Sequence, residues 1–475
     1  MYHNNARWLN VMGYFFFFWV LCNLSLAGNI ATCTLMSQAP KIDGKIDEAE
    51  WSEASRLTGF VTLIPDKRLS KVHTSAYIGY DDQAVYVAFV CQQPPHPQSK
   101  SVWRTLKLIT DGDLWRTESV EVLLVDPKEK TNCYHFIVSS SGHRYDEFNK
   151  DRKWNGQWSS AVQENEKEWS VEFRIPFTTI EKINRSEPVG FNMLRNIGGE
   201  SGQIVTWSPT GDLFNDFGML NIGSNRVIHS FEPTKKNSIG RRFVFANKGD
   251  DTHKYEYTIT SIRQADKTPV QDTKKEVTIE PKQTVEVDET IALLPGKYET
   301  ALVIQNVSDG KVVLKQEWVD NLPQELNVEL RKYFFNDKVE PMVYFPVKSN
   351  EAQKGVVTFR LKQENKVLYA KKIEAAKVSM KSDDPRYKPE MGKQIKCLFD
   401  ISRCDVGSYT IEIESYVPGE KKSKKAWLYF NKPPKLVGSD SQLGTEDIVP
   451  KPWLPVQVNE KTVSVYVSVY CRATS

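Results

Sequence analysis

Cysteine is scarce in this chain, with 7 among 475 residues, which is too few for a disulfide scaffold of this size. Neither sign of charge dominates, because 63 Lys and Arg face 60 Asp and Glu and leave a formal charge of +3, which argues against a nucleic-acid-binding surface. Gly and Pro, at 25 and 24 residues, are too few for a collagen-like or low-complexity chain. What is present, 40% hydrophobic and 11% aromatic residues, suffices for several folded cores. The length predicts roughly three domains.

Long hydrophobic runs are also rare, and the one near the amino terminus spans residues 11–22. A run of about twelve apolar residues is typical of a signal-peptide core, whereas a membrane-spanning helix needs about twenty. Ser25 and Ala27, just before Gly28, fit the small-residue pattern of a cleavage site. We therefore predict a signal peptide over residues 1–28 and export to the periplasm, cell surface or extracellular space. No membrane span is expected after its removal, and an uncleaved anchor is the alternative.

The cysteines of an exported chain meet an oxidising environment. Cys91 and Cys133 both lie in strand-like runs, and Cys397 lies close to Cys404 along the chain. Two interpretations stay open from the sequence. Either pair forms a disulfide bond, or these cysteines are buried free thiols.

Short alternating segments rich in aromatic residues fill residues 36–223 and predict an all-β domain. Residues 77–80 and 84–90 predict two strands joined by a turn, and residues 169–175 alternate strictly up to a proline. The segments 120–125 and 134–138 likewise predict two strands. Helical periodicity is limited to one or two turns near residues 47–55.

Beyond this domain Lys, Glu, Thr and Val become frequent and Trp becomes rare. A turn with glycine, followed by a tyrosine that opens a strand, occurs at residues 294–298 and again at 405–409. Their spacing is about a hundred residues, the size of one sandwich domain. We predict immunoglobulin-like β-sandwiches over residues 224–321 and 322–432. Within residues 433–475, the segment 433–455 predicts a Pro-rich linker. For the strand-like segment 463–470 two interpretations stay open, a strand that adds to an existing sheet or the truncated start of a further domain.

Motifs for covalent chemistry are missing from the sequence. It contains no zinc-ligand spacing, no Gly-x-Ser-x-Gly nucleophile elbow and no phosphate-binding Gly-rich loop, so no cofactor is predicted to be required. Asp111, Asp113 and Glu118 offer oxygen ligands that suit a structural Ca²⁺. Their spacing is not that of an EF-hand, and a solvated acidic loop is the other interpretation.

Several tryptophans of the first domain adjoin polar turns. Trp115 follows Asp113, and Trp154 and Trp158 stand on either side of Asn155. A sugar ring offers an apolar face of C–H bonds flanked by hydroxyls, so an aromatic platform with neighbouring carboxylates and amides suits an oligo- or polysaccharide. Core packing is the alternative for the same tryptophans.

An ordered series of motifs resembles family 9 carbohydrate-binding modules and their relatives. It opens with Pro-Lys-Ile-Asp-Gly-Lys-Ile-Asp, which leads to Trp51, and covers residues 40–223. The later members of the series are Tyr80-Asp81-Asp82, Trp115-Arg116-Thr117-Glu118-Ser119-Val120-Glu121-Val122, Trp169-Ser170-Val171-Glu172, Ile175-Pro176-Phe177, Gly190-Phe191-Asn192, Trp207-Ser208-Pro209 and Phe217-Gly218.

The resemblance implies a β-sandwich that commonly carries structural calcium and grips a sugar between aromatic side chains. Trp115 matches one of the sandwiching tryptophans. Glu121 matches a carboxylate that accepts hydrogen bonds from sugar hydroxyls. The strand position at which such modules place a sugar-binding Arg corresponds to Ile137.

The same resemblance places a second sandwiching aromatic in the loop 210–216, where the aromatic residue is Phe214. Trp158 and Asn155 are the further candidates for completing the cleft. The sequence gives no indication of oligomeric state, and the expected partner is a saccharide rather than nucleic acid.

The leading hypothesis is an exported carbohydrate-binding protein that serves polysaccharide breakdown as the binding part of a glycoside-hydrolase-type protein. One alternative is a glycoside hydrolase, which needs two facing carboxylates about 5 to 9 Å apart. Glu118 and Glu121 are expected on opposite sides of a strand, which leaves Asp146, Glu147 and Asp151 as looser candidates. The other alternative is a structural cell-surface protein with a degenerate sugar site.

Overall fold

The computed structural model describes residues 28–63, 67–93, 112–130, 132–198, 203–209, 217–223, 227–234, 239–345, 354–379, 388, 392–434, 457–459 and 462–464. This part of the chain is built almost wholly of strands, which confirms the all-β prediction. Its helical segments are the short 3₁₀ turns Leu114–Arg116, Phe334–Asn336 and Ala375–Lys377. None of the helices within these ranges is long and apolar enough to cross a membrane. The predicted signal-peptide core at residues 11–22 lies outside the described residues.

Two compact units divide the chain, Met1–Pro323 and Gln324–Ser475. The strands of the first domain lie in the first unit. They are β1 Ile30–Leu35, β2 Ser55–Leu57, β3 Val61–Thr62, β4 Thr74–Tyr80, β5 Ala84–Gln92, β6 Ser119–Val125, β7 Cys133–Ser139, β8 Arg144–Phe148, β9 Ser159–Glu164, β10 Glu168–Pro176, β11 Val189–Ile197, β12 Gln203–Thr206 and β13 Gly218–Ile222.

These strands form two layers. The first has the order β9–β10–β5–β4, with β2 and the end of β1 sharing the outer edge of β4. The second has the order β8–β7–β6–β11, with β12 and β13 sharing the outer edge of β11. Because β1 also pairs in parallel with β13, it belongs to both layers.

Alternation of side chains explains how the layers bury one core. In β10, Trp169, Val171 and Phe173 are buried in that core, whereas Ser170 and Arg174 stay partly exposed. Since successive residues of a strand point to opposite faces, this pattern turns one face of β10 inward. The strands predicted at residues 77–80, 84–90, 120–125, 134–138 and 169–175 are confirmed.

A strap formed by residues 41–54 crosses the outer face of the first layer. Its anchor is the fully buried carboxylate of Glu172, which accepts hydrogen bonds from the backbone N–H groups of Asp43 and Gly44 at 2.8 and 2.7 Å. The indole Nε1 of Trp51 donates to the same carboxylate at 2.9 Å. The strap contains turns rather than a regular helix. Together with Glu172, its Asp43-Gly44 turn holds Trp51 in place.

The remaining strands of the first unit form two further sheet regions, of order β17–β16–β19–β20 and β14–β15–β18. Their bounds are β14 Val227–Thr234, β15 Ile239–Asn247, β16 His253–Arg263, β17 Pro269–Ile279, β18 Thr284–Ile291, β19 Gly296–Asn306 and β20 Val312–Leu322.

Strand β20 joins these sheets to the first domain. Ile30 of β1 pairs with Lys315 of β20, and the Thr32 hydroxyl donates to the Val313 carbonyl at 3.0 Å. Gln316 donates to the carbonyl of Thr58 at 2.7 Å. Leu314 and Trp318 of β20 are buried in the same hydrophobic cluster as the first domain's core. The first unit is therefore held together across these strands by backbone pairing and by a shared apolar core.

The second unit has a core of its own, between the sheets β21–β22–β25 and β24–β23–β27–β28, with β26 beside β22. A separate pair, β29–β30, lies near the end of the chain. The strands are β21 Val328–Tyr333, β22 Lys338–Phe345, β23 Val356–Gln363, β24 Lys366–Glu374, β25 Lys393–Lys396, β26 Phe399–Asp400, β27 Gly407–Tyr416, β28 Lys424–Lys432, β29 Gln457–Asn459 and β30 Thr462–Ser464.

The two repeated turn motifs adopt the same local structure. The Tyr298 hydroxyl donates to the carbonyl of Leu294 at 2.7 Å, and the Tyr409 hydroxyl donates to the carbonyl of Asp405 at 2.7 Å. Both tyrosine rings are buried, so each bond fixes the turn that precedes its strand. A tyrosine corner of this kind occurs in immunoglobulin-type sandwiches. That residues 224–321 and 322–432 are such sandwiches stays a prediction.

All five described cysteines are free thiols, which contradicts the disulfide interpretation for both predicted pairs. Cys91 and Cys133 are buried in β5 and β7, and burial raises the pKa of each thiol to about 12. Burial also raises the pKa of Cys397 to about 11 and the pKa of Cys404 above its ordinary value. These cysteines behave as small apolar core residues.

Candidate functional site

The outer face of the β6–β7–β8–β11 layer carries polar side chains where the opposite face carries the core. Val120 and Val122 of β6 point into the core, so Glu121 between them points outward. On this outer face Glu121 lies opposite Ile137 of β7, and Ile137 lies opposite Tyr145 of β8. Backbone register thus brings residues from three strands onto one face.

A chain of hydrogen bonds connects four of the outer-face side chains. His135 contacts Glu121 Oε2 through Nε2 at 2.8 Å and Glu147 Oε1 through Nδ1 at 3.0 Å. The Tyr145 hydroxyl donates to Glu147 Oε2 at 2.7 Å. Glu121, His135 and Glu147 are only 4%, 7% and 6% exposed. We call Glu121, His135 and Glu147 the carboxylate–histidine triad.

Opposing effects set the pKa of His135. Burial lowers it, but the hydrogen bonds and charges of Glu121 and Glu147 outweigh burial and raise the pKa to about 9. Burial likewise acts to raise the pKa of Glu147, but its bonds with His135 and Tyr145 hold that pKa below its ordinary value. At neutral pH His135 is therefore an imidazolium that donates through both ring nitrogens, and both carboxylates act as acceptors.

An aromatic corner adjoins the triad. Trp115, in the 3₁₀ turn before β6, is half-buried and meets the Tyr145 ring edge-to-face at 5.8 Å between centroids. The guanidinium of Arg152 lies 5.0 Å from the centre of the Trp115 ring and 5.9 Å from that of Tyr145. Arg152 also makes a 3.5 Å ion pair with the exposed Asp113. Trp115 and Tyr145 therefore form an aromatic pair. Trp115 is partly exposed, and Tyr145 contacts the triad.

Asn196 of β11 extends the polar network on the other side of Glu121. Its Nδ2 donates to Glu121 Oε1 at 2.6 Å and to the Ser119 hydroxyl at 3.0 Å. Its Oδ1 is buried and has no hydrogen-bond partner among the residues that the structure describes. A buried carbonyl oxygen without a donor is energetically costly.

The amino acids that the sequence predicts to bind sugar lie in different environments. Trp115 and Glu121 lie on the same face, whereas Trp158 is 9% exposed and lies in the core, stacked on Phe173 at 5.8 Å. Trp158 therefore presents little ring surface to a ligand. Asn155 is exposed on the loop between β8 and β9, and Phe214 lies outside the described residues.

The predicted calcium ligands have other partners. Glu118 Oε1 accepts hydrogen bonds from Trp169 Nε1 at 3.0 Å and from Arg195 Nε at 2.8 Å, and the guanidinium of Arg195 is fully buried. Asp113 makes ion pairs with Arg116 and Arg152, and Asp111 lies outside the described residues. No group of three His, Cys, Asp or Glu side chains that could hold a metal ion occurs in the described ranges.

Ile137 shows what occupies the position where the resemblance expects an arginine. Its side chain is fully buried and packs with Leu114 and Tyr145 beneath Trp115. The cation on this face of β7 is instead His135, two residues earlier on the same side of the strand. His135, Tyr145 and Asn196 were missed by sequence reasoning. The signal that places His135 on the face of Glu121 is its position in the strand, two residues before Ile137, because every second residue of a strand points to the same face.

A groove of about 590 Å³ lies elsewhere on the domain, on the outer face of the first layer beside the strap. Tyr77 and Arg56 line it, together with Trp51 and Glu168. It contains none of the residues that the sequence predicts for sugar binding, and its lining mixes both signs of charge.

Comparison with known proteins places the first domain in a family. Residues 42–220 match the family model described as carbohydrate family 9 binding domain-like. Among solved structures, the chain is similar to a family 9 carbohydrate-binding module from Caldicellulosiruptor kristjanssonii in complex with cellotriose, at 16% identity and a TM-score of 0.30, covering 41% of this chain and 94% of that one. The complex of a family 9 module from the same organism with glucose is similar at 16% identity and a TM-score of 0.31, covering 41% and 96%. No curated protein matches the chain. Residues 42–220 are thus a family 9-like carbohydrate-binding domain, as the resemblance predicted.

Proposed function

We propose that the family 9-like domain binds an oligo- or polysaccharide without covalent chemistry, on the outer face that carries Trp115 and Glu121. The observation that carries this proposal is the family match over residues 42–220, which encloses both residues. The similar module from C. kristjanssonii was solved with cellotriose and with glucose, so gluco-oligosaccharides are the first ligands to test.

The contacts of the site suit a sugar chemically. The half-buried ring of Trp115 offers an apolar surface to the C–H face of a pyranose. The Glu121 carboxylate on the same face is the proposed acceptor for a sugar hydroxyl. Asn155 and Arg152 are exposed on the neighbouring loop and supply donors.

The wider role follows from the parts of the chain around this domain. We propose that the protein is exported, because residues 11–22 have the length and composition of a signal-peptide core. The strands of the second unit then act as a spacer, since β14–β20 belong to the same compact unit as the domain. We propose that the domain takes part in polysaccharide breakdown as the binding part of a glycoside-hydrolase-type protein.

Geometry disfavours hydrolysis by the described carboxylates. A glycosidase needs an open gap of about 5 to 9 Å between two carboxyl groups for the scissile bond. The gap between Glu121 and Glu147 is filled by the His135 imidazole, which hydrogen-bonds both. Asp146 is buried and accepts a hydrogen bond from the Gly156 N–H at 2.6 Å.

A binding experiment tests the proposal. The full chain is titrated calorimetrically with cellotriose and glucose and screened on a glycan array. Trp115→Ala is expected to lower the affinity by about two- to tenfold, since stacking on an aromatic ring is worth about 0.5–1.5 kcal/mol. Trp427→Ala, at a half-buried tryptophan of the second unit, is the matched control and should bind as the wild type does. Equal binding by both variants contradicts the site, and no glycan binding at all favours a structural cell-surface role.

A further inference from the structure

We infer that His135 is a positioning residue of the glycan site: it clamps the Glu121 carboxylate between two partners and makes the site selective for uncharged sugars. This inference rests on the proposed function and identifies the class of ligand that the same site accepts.

The first step is the connection between His135 and the ligand surface. His135 holds Glu121 Oε2 at 2.8 Å, and Asn196 Nδ2 holds Glu121 Oε1 at 2.6 Å, so both carboxylate oxygens have a fixed donor. Since Asn196 turns its Nδ2 toward Glu121, its Oδ1 is left facing away and without a partner among the described residues. The orientation of the Asn196 amide, like that of the Glu121 carboxylate, therefore depends on where His135 holds Glu121.

The second step is the coupling to the aromatic platform. His135 contacts Glu147, Glu147 accepts the Tyr145 hydroxyl, and the Tyr145 ring packs edge-to-face on Trp115. These side chains are nearly or fully buried up to Trp115, where the network reaches the surface. A change at His135 is thus transmitted along a continuous series of contacts to the surface on which the sugar ring stacks.

The third step is the charge that a ligand meets. The groups facing His135 are Glu121 from β6, Glu147 and the Tyr145 ring from β8. Arg152 acts on Glu147 from the loop and is itself paired with the exposed Asp113. Two carboxylates and one imidazolium leave the buried triad with a single negative charge. The negative charge of the triad disfavours an anionic ligand because the surroundings of a buried charge screen it poorly, whereas a neutral sugar is not repelled.

The experiment compares His135→Gln with His143→Gln in the full chain, using cellotriose, glucose and glucuronate as probes. His143 is a partly exposed histidine that contacts the Ser141 hydroxyl, so its replacement is the matched control. His135→Gln is expected to weaken cellotriose binding at least about tenfold at pH 7, and His143→Gln to leave it unchanged. Circular dichroism melts establish that both variants are folded.

The pH profile of the wild type keeps the inference testable even if His135→Gln fails to fold. Affinity for cellotriose is expected to be constant from pH 6 to 8 and to fall as the pH rises through about 9, where His135 loses its proton. In His135→Gln the profile is expected to be flat. A purely structural histidine does not predict this difference, and a flat wild-type profile from pH 6 to 10 overturns the inference.

Charge selectivity supplies the second readout. The wild type is expected to bind glucose at least about tenfold more tightly than glucuronate. Glu147→Gln removes the residual negative charge and should narrow that ratio. Equal binding of the two sugars by the wild type overturns the inference but leaves the proposed function intact. If the wild type binds no sugar, the proposed function itself fails, and the two failures are therefore distinguishable.

Discussion

Glu172 shows how one buried carboxylate positions a whole segment. Three donors converge on it, from the backbone of Asp43 and Gly44 and from the indole of Trp51. Burial raises the pKa of Glu172, and the three hydrogen bonds oppose that rise. Gly44 has a positive φ of 87°, and a Cβ atom there would lie 2.6 Å from the Val162 carbonyl carbon, so no larger residue fits beneath the carboxylate. The strap motif is therefore explained by structure without any ligand.

Glu172→Gln is expected to lower the free energy of unfolding by about 2 kcal/mol. An amide turns an N–H group toward donors that need an acceptor, and each buried donor left unpaired costs about 1–3 kcal/mol. The measurement is urea unfolding followed by tryptophan fluorescence. Glu166→Gln, at an exposed glutamate, is the control. Equal stability of the two variants would show that the strap is held by packing alone.

The carboxylate–histidine triad makes stability depend on pH. Folding raises the pKa of His135 from 6.5 to about 9, so the native state holds this proton more tightly than the unfolded chain does. The stability that protonated His135 contributes to the fold is therefore complete below pH 6.5 and is lost as the pH rises through about 9. Folding lowers the pKa of Glu147. The stability that Glu147 contributes is therefore present above its ordinary pKa of 4.5 and is lost as the pH falls below that value.

The difference in unfolding free energy between wild type and His135→Gln is accordingly expected to shrink between pH 6.5 and 9.5. Urea unfolding at half-unit intervals measures it. A difference that stays constant over this range would mean that His135 stabilises the fold through packing rather than through its charge.

At the residue scale, a motif and the fold together bring Trp115 and Glu121 onto one face. Their role in sugar binding stays a prediction. His135 belongs to no motif, and its role depends on Glu147, twelve residues later, being opposite it in the strand register. Trp158 stands beside a polar turn in the sequence yet packs on Phe173, because tertiary packing decides which side of the chain is covered.

At the scale of elements, strands follow from local alternation and from turns. β5, β6 and β7 were predictable as short runs rich in β-branched and aromatic residues between turns, and they are buried at nearly every position. β10 was predictable because its apolar residues alternate with polar ones. The pairing of β1 with β20 was not predictable, since no local pattern indicates which distant strand completes an edge. The disulfide interpretation failed for a similar reason, because cysteine spacing does not show which thiols are buried apart from one another.

Each tyrosine corner is expected to contribute to the stability of its own unit. Tyr298→Phe and Tyr409→Phe remove the hydrogen bonds to the Leu294 and Asp405 carbonyls and should each cost about 1 kcal/mol. Tyr416→Phe, at a tyrosine that is 50% exposed, is the control and should cost nothing measurable. Thermal melts followed by calorimetry measure the losses. A neutral effect of both corner variants would assign the tyrosines to ring packing alone.

At the scale of the whole molecule, the two compact units divide the chain between Pro323 and Gln324. The predicted join between residues 321 and 322 lies beside this division. The change of composition near residue 223 is real in the sequence, but the strands on either side of it share one hydrophobic cluster and one backbone pairing. The residue composition of a segment reflects mainly which side chains lie on its surface. The boundary of a compact unit depends instead on which apolar faces cover each other.

A fragment that ends at residue 223 is therefore expected to be less stable than one that ends at residue 323. Without β20 the Thr32 hydroxyl loses its acceptor, and the apolar surface covered by Leu314 and Trp318 is exposed. We expect a thermal midpoint lower by about 10 °C or more, and faster cleavage by protease. Equal midpoints for the two fragments would show that the first domain folds independently of β20.

The joining of β1 to β20 also has a consequence for how this protein reaches its native state. The hydrogen bond between Thr32 and Val313 closes a loop of 281 residues, so the contact order of the first unit is high. At synthesis rates of about 5–20 residues per second, β1 emerges on the order of half a minute before its partner does. During that interval one of its edges stays open to other chains. We therefore expect the yield of this protein in a heterologous host to respond to translation rate.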